Sequence, residues 1–225
     1  MSRKASFILS GCGYLDGTEI NEAVLLSLLC AQHDIEVDFY SVNEDVPVSC
    51  HSLSGEVPVN RLGTEARNMI EESSRIARRE VFQVHTLDVD KYDILVLPGG
   101  YGAINNFSNF FSEHSEKTVY PSIQDIIYGF ITAKKPIVSV CIAPLVVAVS
   151  LQGKVGGLTL TLGKDENRLL ASVGAINKVC MADEFVYDQR NLIYSTPAFM
   201  ESEDLALIYK GMNSMITSLV QNLSK

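Results

Sequence analysis

Short apolar runs alternate along the chain with longer stretches of helical period. Ala5–Ser10 (ASFILS), Tyr92–Leu97 (YDILVL) and Pro136–Val140 (PIVSV) are nearly continuous apolar runs, and Glu36–Ser41 (EVDFYS) alternates apolar with polar positions. All four predict strands. Glu19–Gln32 carries Ile20, Val24, Leu25, Leu28 and Leu29 on one helical stripe, and Glu65–Arg79 sets Met69, Ile70 and Ile76 among charges, as an amphipathic helix does. Ser122–Ala133 and Ala143–Leu151 predict two more helices. Glu184–Tyr187 and Leu192–Ser195, separated by DQRN, predict a hairpin. Ser202–Asn222 closes the pattern as a long helix with acidic residues in its first turn.

Strands that alternate with helices and are apolar on both faces need cover on both sides. The pattern therefore predicts an α/β fold with a mostly parallel sheet between two helical layers. Residues 43–64 (NEDVPVSCHSLSGEVPVNRLGT) form one polar, Pro/Gly-containing excursion, which reads as an insertion into a single domain spanning 1–225. In open α/β sheets, ligands bind beyond the carboxyl ends of the strands where the strand order reverses. Three loops fall at such ends: GCGYLDG after the first strand, PGGYGA after Leu97, and the turn at Cys141.

Composition narrows the function classes. A formal charge of −9 lacks the basic face that nucleic acid or an anionic membrane requires, and no apolar run approaches the ~18 residues of a membrane span. Five cysteines (Cys12, Cys30, Cys50, Cys141 and Cys180) are widely spaced and contain no CxxC pair, which points to reduced thiols and no zinc site. With no secretory segment recognisable, a cytoplasmic location is the default expectation.

The segment VSVCIAPL poses the chemical question. Its apolar run stops at Cys141, and a proline follows three residues later. A cysteine in a buried strand can be simply a small hydrophobe. On a strand-to-helix turn, the same thiol would face a helix N-terminus, which lowers its pKa, and the Ile142 N–H would lie where an oxyanion forms. His33, His51, His85 and His114 all precede Cys141, so the Cys…His order of a glutamine-amidotransferase triad is missing; His114, in the FSEHSE loop, reads as a surface residue. Glu19 and Glu22 share a helical face near the first-strand loop, either as ordinary helix-start acids or as a partner for the thiol. Glu22 sits on the apolar side, where burial would raise its pKa and let it hold a proton. Pro98-Gly99-Gly100-Tyr101-Gly102 adds a loop whose backbone can approach a substrate, and no Lys-Ser/Thr follows it as in a phosphate loop.

Together, ILSGCGYLDGTEINEAVL, LVLPGGYGAINNFSNF, VCIAPL and YSTPAFM resemble the ElbB-like (isoprenoid-biosynthesis-associated glyoxalase) branch of the ThiJ/PfpI superfamily. HSLSGE and TEARNMIEESSRIARREV extend the resemblance to nearly the whole chain. It implies a flavodoxin-like three-layer sandwich with Cys141 at a nucleophile elbow, Glu22 as the carboxyl facing it, and Gly99 and Gly100 as a backbone oxyanion site. Glu19 competes for the carboxyl role. The resemblance also implies a homodimer and a cofactor-free, metal-free glyoxalase acting on small dicarbonyls such as glyoxal or methylglyoxal. Isoleucine at 142, where protease-like members carry histidine, argues against a peptidase. The alternative function is a non-enzymatic redox sensor or interaction protein that uses oxidation of Cys141.

Overall fold

The computed structural model describes residues 3–47, 67–113 and 116–224. His51, Cys50, His114 and the HSLSGE motif lie outside the described residues, as does the excursion from 48 onward. Its described flanks pair with each other: Asp45 and Asn68 form an antiparallel bridge, with Val46 N–H donating to Arg67 O at 2.7 Å.

Seven strands form the central sheet: β1 (Arg3–Ile8), β2 (Ile35–Ser41), β3 (Val81–Gln83), β4 (Ile94–Leu97), β5 (Ile137–Val140), β8 (Val186–Asp188) and β9 (Ile193–Thr196). Their order is β3-β2-β1-β4-β5-β9-β8. Every pairing is parallel except the β8–β9 hairpin. Two short strands, β6 (Thr159–Leu160) and β7 (Ile176–Asn177), pair apart from it. The periodicity of the sequence missed β3, β6 and β7, because two or three residues are too few to display a period.

The chain winds outward from β1 in one direction and from β4 in the other, so right-handed crossovers place helices on opposite faces. Helix α1 (Ile20–Gln32) packs with α7 (Leu205–Leu223), while α4 (Pro121–Thr132) packs with α5 (Ala143–Leu151). This is the three-layer flavodoxin-like sandwich. All nine residues of α5 are buried, as befits a helix apolar on every side. Pro144 occupies its first turn, where no backbone N–H is needed for the helical ladder.

Helix α1 corrects the sequence reading. Ile20, Val24 and Leu28 of the expected stripe are 43%, 49% and 47% exposed. The inward face is Glu22, Ala23, Leu26, Leu29 and Cys30. The helix is apolar around much of its circumference, so periodicity could not select a face; the small Ala23 and the reach of Glu22 toward the sheet did. Helix α2 spans Met69–Ala77, shorter than expected, because Arg78 takes a left-handed conformation (φ 53°) and ends it. No helix among the described residues is long and apolar enough to cross a membrane.

Candidate active site

The sheet order reverses between β1 and β4, and the loops after β1, β4 and β5 meet beyond their carboxyl ends. Tyr101 N–H donates to Tyr14 O at 2.6 Å, Gly102 N–H to Gly17 O at 3.1 Å, and Glu19 N–H to Gly99 O at 2.9 Å. The first of these loops is also braced from outside. Arg67 donates to Asp16 Oδ2 (2.5 Å), Cys12 O (3.1 Å) and Glu72 Oε2 (2.8 Å), which ties the loop to α2.

Cys141 occupies the turn between β5 and α5. Its φ is +59°, a left-handed conformation that costs a side-chain-bearing residue energy and that the surrounding structure must hold. Its N–H donates to Thr196 O at 3.0 Å, an extension of the β5–β9 ladder. The residue is buried, with 8% of its surface exposed. The sequence led to an expectation of a lowered pKa, and the structure reverses it. Burial and then the negative charge of Glu22 push the thiol well above its ordinary value, against the opposing pull of the Gly100 and Ile142 N–H groups. At this helix start, the loss of water around the thiol outweighs the pull of the N–H groups.

Glu22 is fully buried on the inner face of α1. Gly99 N–H donates to its Oε2 at 2.8 Å. Its Oε1 closes no hydrogen bond of standard geometry among the described residues; the carboxyl interacts more loosely with the Cys141 thiol and the Phe199 N–H. Burial, reinforced by the charge of Glu19, pushes its pKa up to about 8. Glu19 stands one turn earlier as the N-cap of α1. It accepts from Glu22 N–H at 2.6 Å and from Asn21 Nδ2 at 2.9 Å, so each of its oxygens is engaged at the start of its own helix.

The two glycines do different work. A Cβ at Gly99 would lie 2.5 Å from the Cβ of Cys141 and 2.6 Å from Glu22 Oε2. Only a bare backbone lets the thiol and the carboxyl come together here. The Gly99 N–H is committed to Glu22, which corrects its expected place among the oxyanion donors. Gly100, at φ 93°, turns its own N–H toward Cys141; a Cβ there would strike Gly17 O and Glu19 N. Gly100 and Ile142 are thus the two backbone donors directed at the sulfur.

A cleft of about 470 Å³ opens over Cys141. Tyr14, Tyr101, Phe199, Met200 and Glu203 line it with Glu19 and the cysteine. Those five were not singled out from the sequence. Tyr14 and Tyr101 sit inside the glycine loops, and Phe199 and Met200 end the STPAFM motif, so the motifs held them without showing which side chains turn toward the thiol. Among the described residues no group of His, Cys, Asp and Glu converges as metal ligands.

No family model matches the chain. It is 31% identical to the "ES1 protein homolog, mitochondrial" of Rattus norvegicus over 99% of the chain and 85% of that protein. It is 30% identical to the "Glutamine amidotransferase-like class 1 domain-containing protein 3, mitochondrial" of Homo sapiens, over 99% of the chain and 84% of that protein. A crystal structure of an isoprenoid biosynthesis protein with amidotransferase-like domain from Ehrlichia chaffeensis superposes with a TM-score of 0.90 at 34% identity, covering 97% of this chain and 99% of that one. The chain belongs to the ElbB-like branch of the ThiJ/PfpI superfamily.

A ThiJ/PfpI domain protein from Brachyspira murdochii shares the fold at a TM-score of 0.60 and 11% identity, covering 98% of this chain and 96% of that one. The curated relatives also overturn the cytoplasmic expectation, because the two just described are mitochondrial by name. That expectation rested on the lack of a recognisable secretory segment together with reduced thiols, and neither distinguishes one reducing compartment from another.

Proposed function

We propose that the protein is a cofactor-independent glyoxalase that converts dicarbonyl compounds to hydroxy acids through a covalent bond to Cys141. The observation that supports this reading best is the buried Cys141–Glu22 pair, set beside Gly99 with the N–H groups of Gly100 and Ile142 directed at the sulfur. Cys141 sulfur adds to the aldehyde carbon while its proton passes, by way of Glu22, to the aldehyde oxygen, giving a hemithioacetal. The Gly100 and Ile142 N–H groups stabilise the oxygen as it becomes negative. Glu22 then removes the proton from C1 and an enediol forms. Reprotonation at C2 leaves a thioester, which water hydrolyses to the hydroxy acid and free Cys141 thiol. One carbon is oxidised and its neighbour reduced, so no outside electron acceptor enters.

A buried carboxyl with a pKa near 8 suits this shuttle, because it can both hold and release a proton near neutrality. The redox-sensor reading is weakened by the same electrostatics: sensor cysteines are accessible and thiolate-rich, while Cys141 is buried with a raised pKa. Peptidase chemistry is disfavoured by Ile142, which leaves the thiol without an adjacent imidazole. The test is incubation of purified protein with methylglyoxal and chromatographic measurement of lactate. Lactate formation that disappears in Cys141→Ser supports the reading; a wild-type protein that forms none defeats it.

A further inference from the structure

We propose that the cleft over Cys141 selects carbonyl compounds with a sizeable body that carries an ammonium group, and that Glu203, Tyr14 and Tyr101 are the specificity-determining residues. This deepens the glyoxalase reading and rests on it for the reacting end of the substrate.

Size is the first observation. Pockets of ~300–1,000 Å³ hold ligands of drug size, and the cleft measures about 470 Å³. A two- or three-carbon dicarbonyl fills a small part of it and leaves most of the aromatic wall wet. Tyr14 and Tyr101 are 50% and 44% exposed and Met200 is 37% exposed, so a large apolar surface beside the thiol awaits cover.

Charge is the second observation. The ionisable side chains other than tyrosine and cysteine that line the cleft are Glu19 and Glu203, and no lysine, arginine or histidine lines it among the described residues. Glu19 is spent as the helix cap. Glu203 is exposed at the mouth and precedes α7, and no hydrogen bond or ion pair involves it among the described residues. A carboxylate in the same cleft as two tyrosine rings attracts an ammonium group by direct charge, and a ring face that meets the cation adds its quadrupole. The same carboxylate repels carboxylate- or phosphate-bearing carbonyls, and no cation lines the cleft among the described residues to offset it.

Binding and turnover must be read separately. Saturation-transfer NMR with benzyltrimethylammonium and phenylacetate reports the cleft without any reaction, and hydroxy-acid formation from methylglyoxal reports the chemistry. Benzyltrimethylammonium should bind about tenfold tighter than phenylacetate at low salt, a preference that shrinks at high salt. Glu203→Gln should reduce that ratio toward one, and Tyr101→Ala should weaken the cation more than the anion. Phenylacetate binding as tightly as the cation, or a ratio unchanged in Glu203→Gln, overturns the inference; so does failure of benzyltrimethylammonium to bind. Cation preference without methylglyoxal turnover leaves the inference standing and defeats the glyoxalase reading. Turnover without charge preference does the reverse.

Discussion

Cys141 and Glu22 approach each other across Gly99, at a point where any side chain on residue 99 would touch both. The thiol reaches that point from a strained turn at the end of β5, and the carboxyl reaches it from the inner face of α1. A third element, strand β4, ends between them and supplies the residue without a side chain.

Gly99→Ala tests this contact directly. The added Cβ meets Cys141 Cβ at 2.5 Å and Val140 O at 2.9 Å, and the backbone oxygen cannot yield as a flexible side chain would. Overpacking of this kind costs ~1–3 kcal/mol, and displacement of reacting groups by about 1 Å costs on the order of a hundredfold in rate. Methylglyoxal turnover should fall by about that factor while the protein still melts cooperatively. Turnover at the wild-type rate would show that the pair does not need this spacing.

Proton transfer by Glu22 should appear in the pH profile. The reactive pair has lost one proton, so turnover should rise with pH until about 8 and then level off. Glu22→Gln should lose that inflection and drop turnover by about a hundredfold to ten-thousandfold. Steady-state kinetics from pH 5.5 to 9.5 on both proteins checks it. The assignment fails if the Gln variant keeps the inflection.

The same group fixes the sign of a stability change. Glu22 holds its proton in the folded state up to about 8, whereas the unfolded carboxyl releases it near 4.5. Its contribution is therefore fully present below pH 4.5 and is lost as pH rises through about 8. Glu22→Gln, which cannot ionise, should melt close to wild type at pH 5 and above it at pH 9. The difference should be on the order of a few kcal/mol. A Gln variant that gains nothing between those pH values would refute the burial of an ionisable carboxyl here.

Thiol labelling distinguishes placement from reactivity. Cys12 is partly exposed, whereas Cys30, Cys141 and Cys180 are buried. Burial raises the pKa of all four, pushing Cys30 up to about 12. Iodoacetamide at pH 7 should therefore modify Cys12 before Cys141, whose labelling should stay slow into the alkaline range. Peptide mass spectrometry that finds Cys141 modified first at pH 7 would restore the low-pKa thiolate expected from the turn alone.

On α1, the outward stripe can be tested by contrast. Val24→Lys, at a position 49% exposed, should change stability by no more than about 0.5 kcal/mol. Leu26→Ala, at a fully buried position, should cost ~2–5 kcal/mol. Chemical denaturation of the two variants checks the pair, and a large loss in Val24→Lys would place that residue in a buried surface.

Much was legible in the chain because the signals were local. Uniform apolar runs marked β1, β4 and β5, since a strand covered on both faces needs no polar alternation. The glycine loops and Pro144 marked the strand ends, because only certain residues tolerate those backbone conformations. The parallel sheet and the three loops at its carboxyl edge follow from those signals, and they bring Cys141 and Glu22 into one region. Which face of α1 turned inward was not legible, because its apolar residues surround much of the helix and only packing against the sheet chose among them. Nor was the thiol's proton affinity, whereas the raised pKa of Glu22 was expected from its burial. A thiol at a helix start and a carboxyl on an apolar flank are each described correctly by sequence, but the pKa of either depends on the water excluded around it and on the other's charge. Those quantities exist only after β1, β4 and β5 have brought residues 22, 99 and 141 together, and that long-range closure made the cysteine a buried, protonated partner of Glu22.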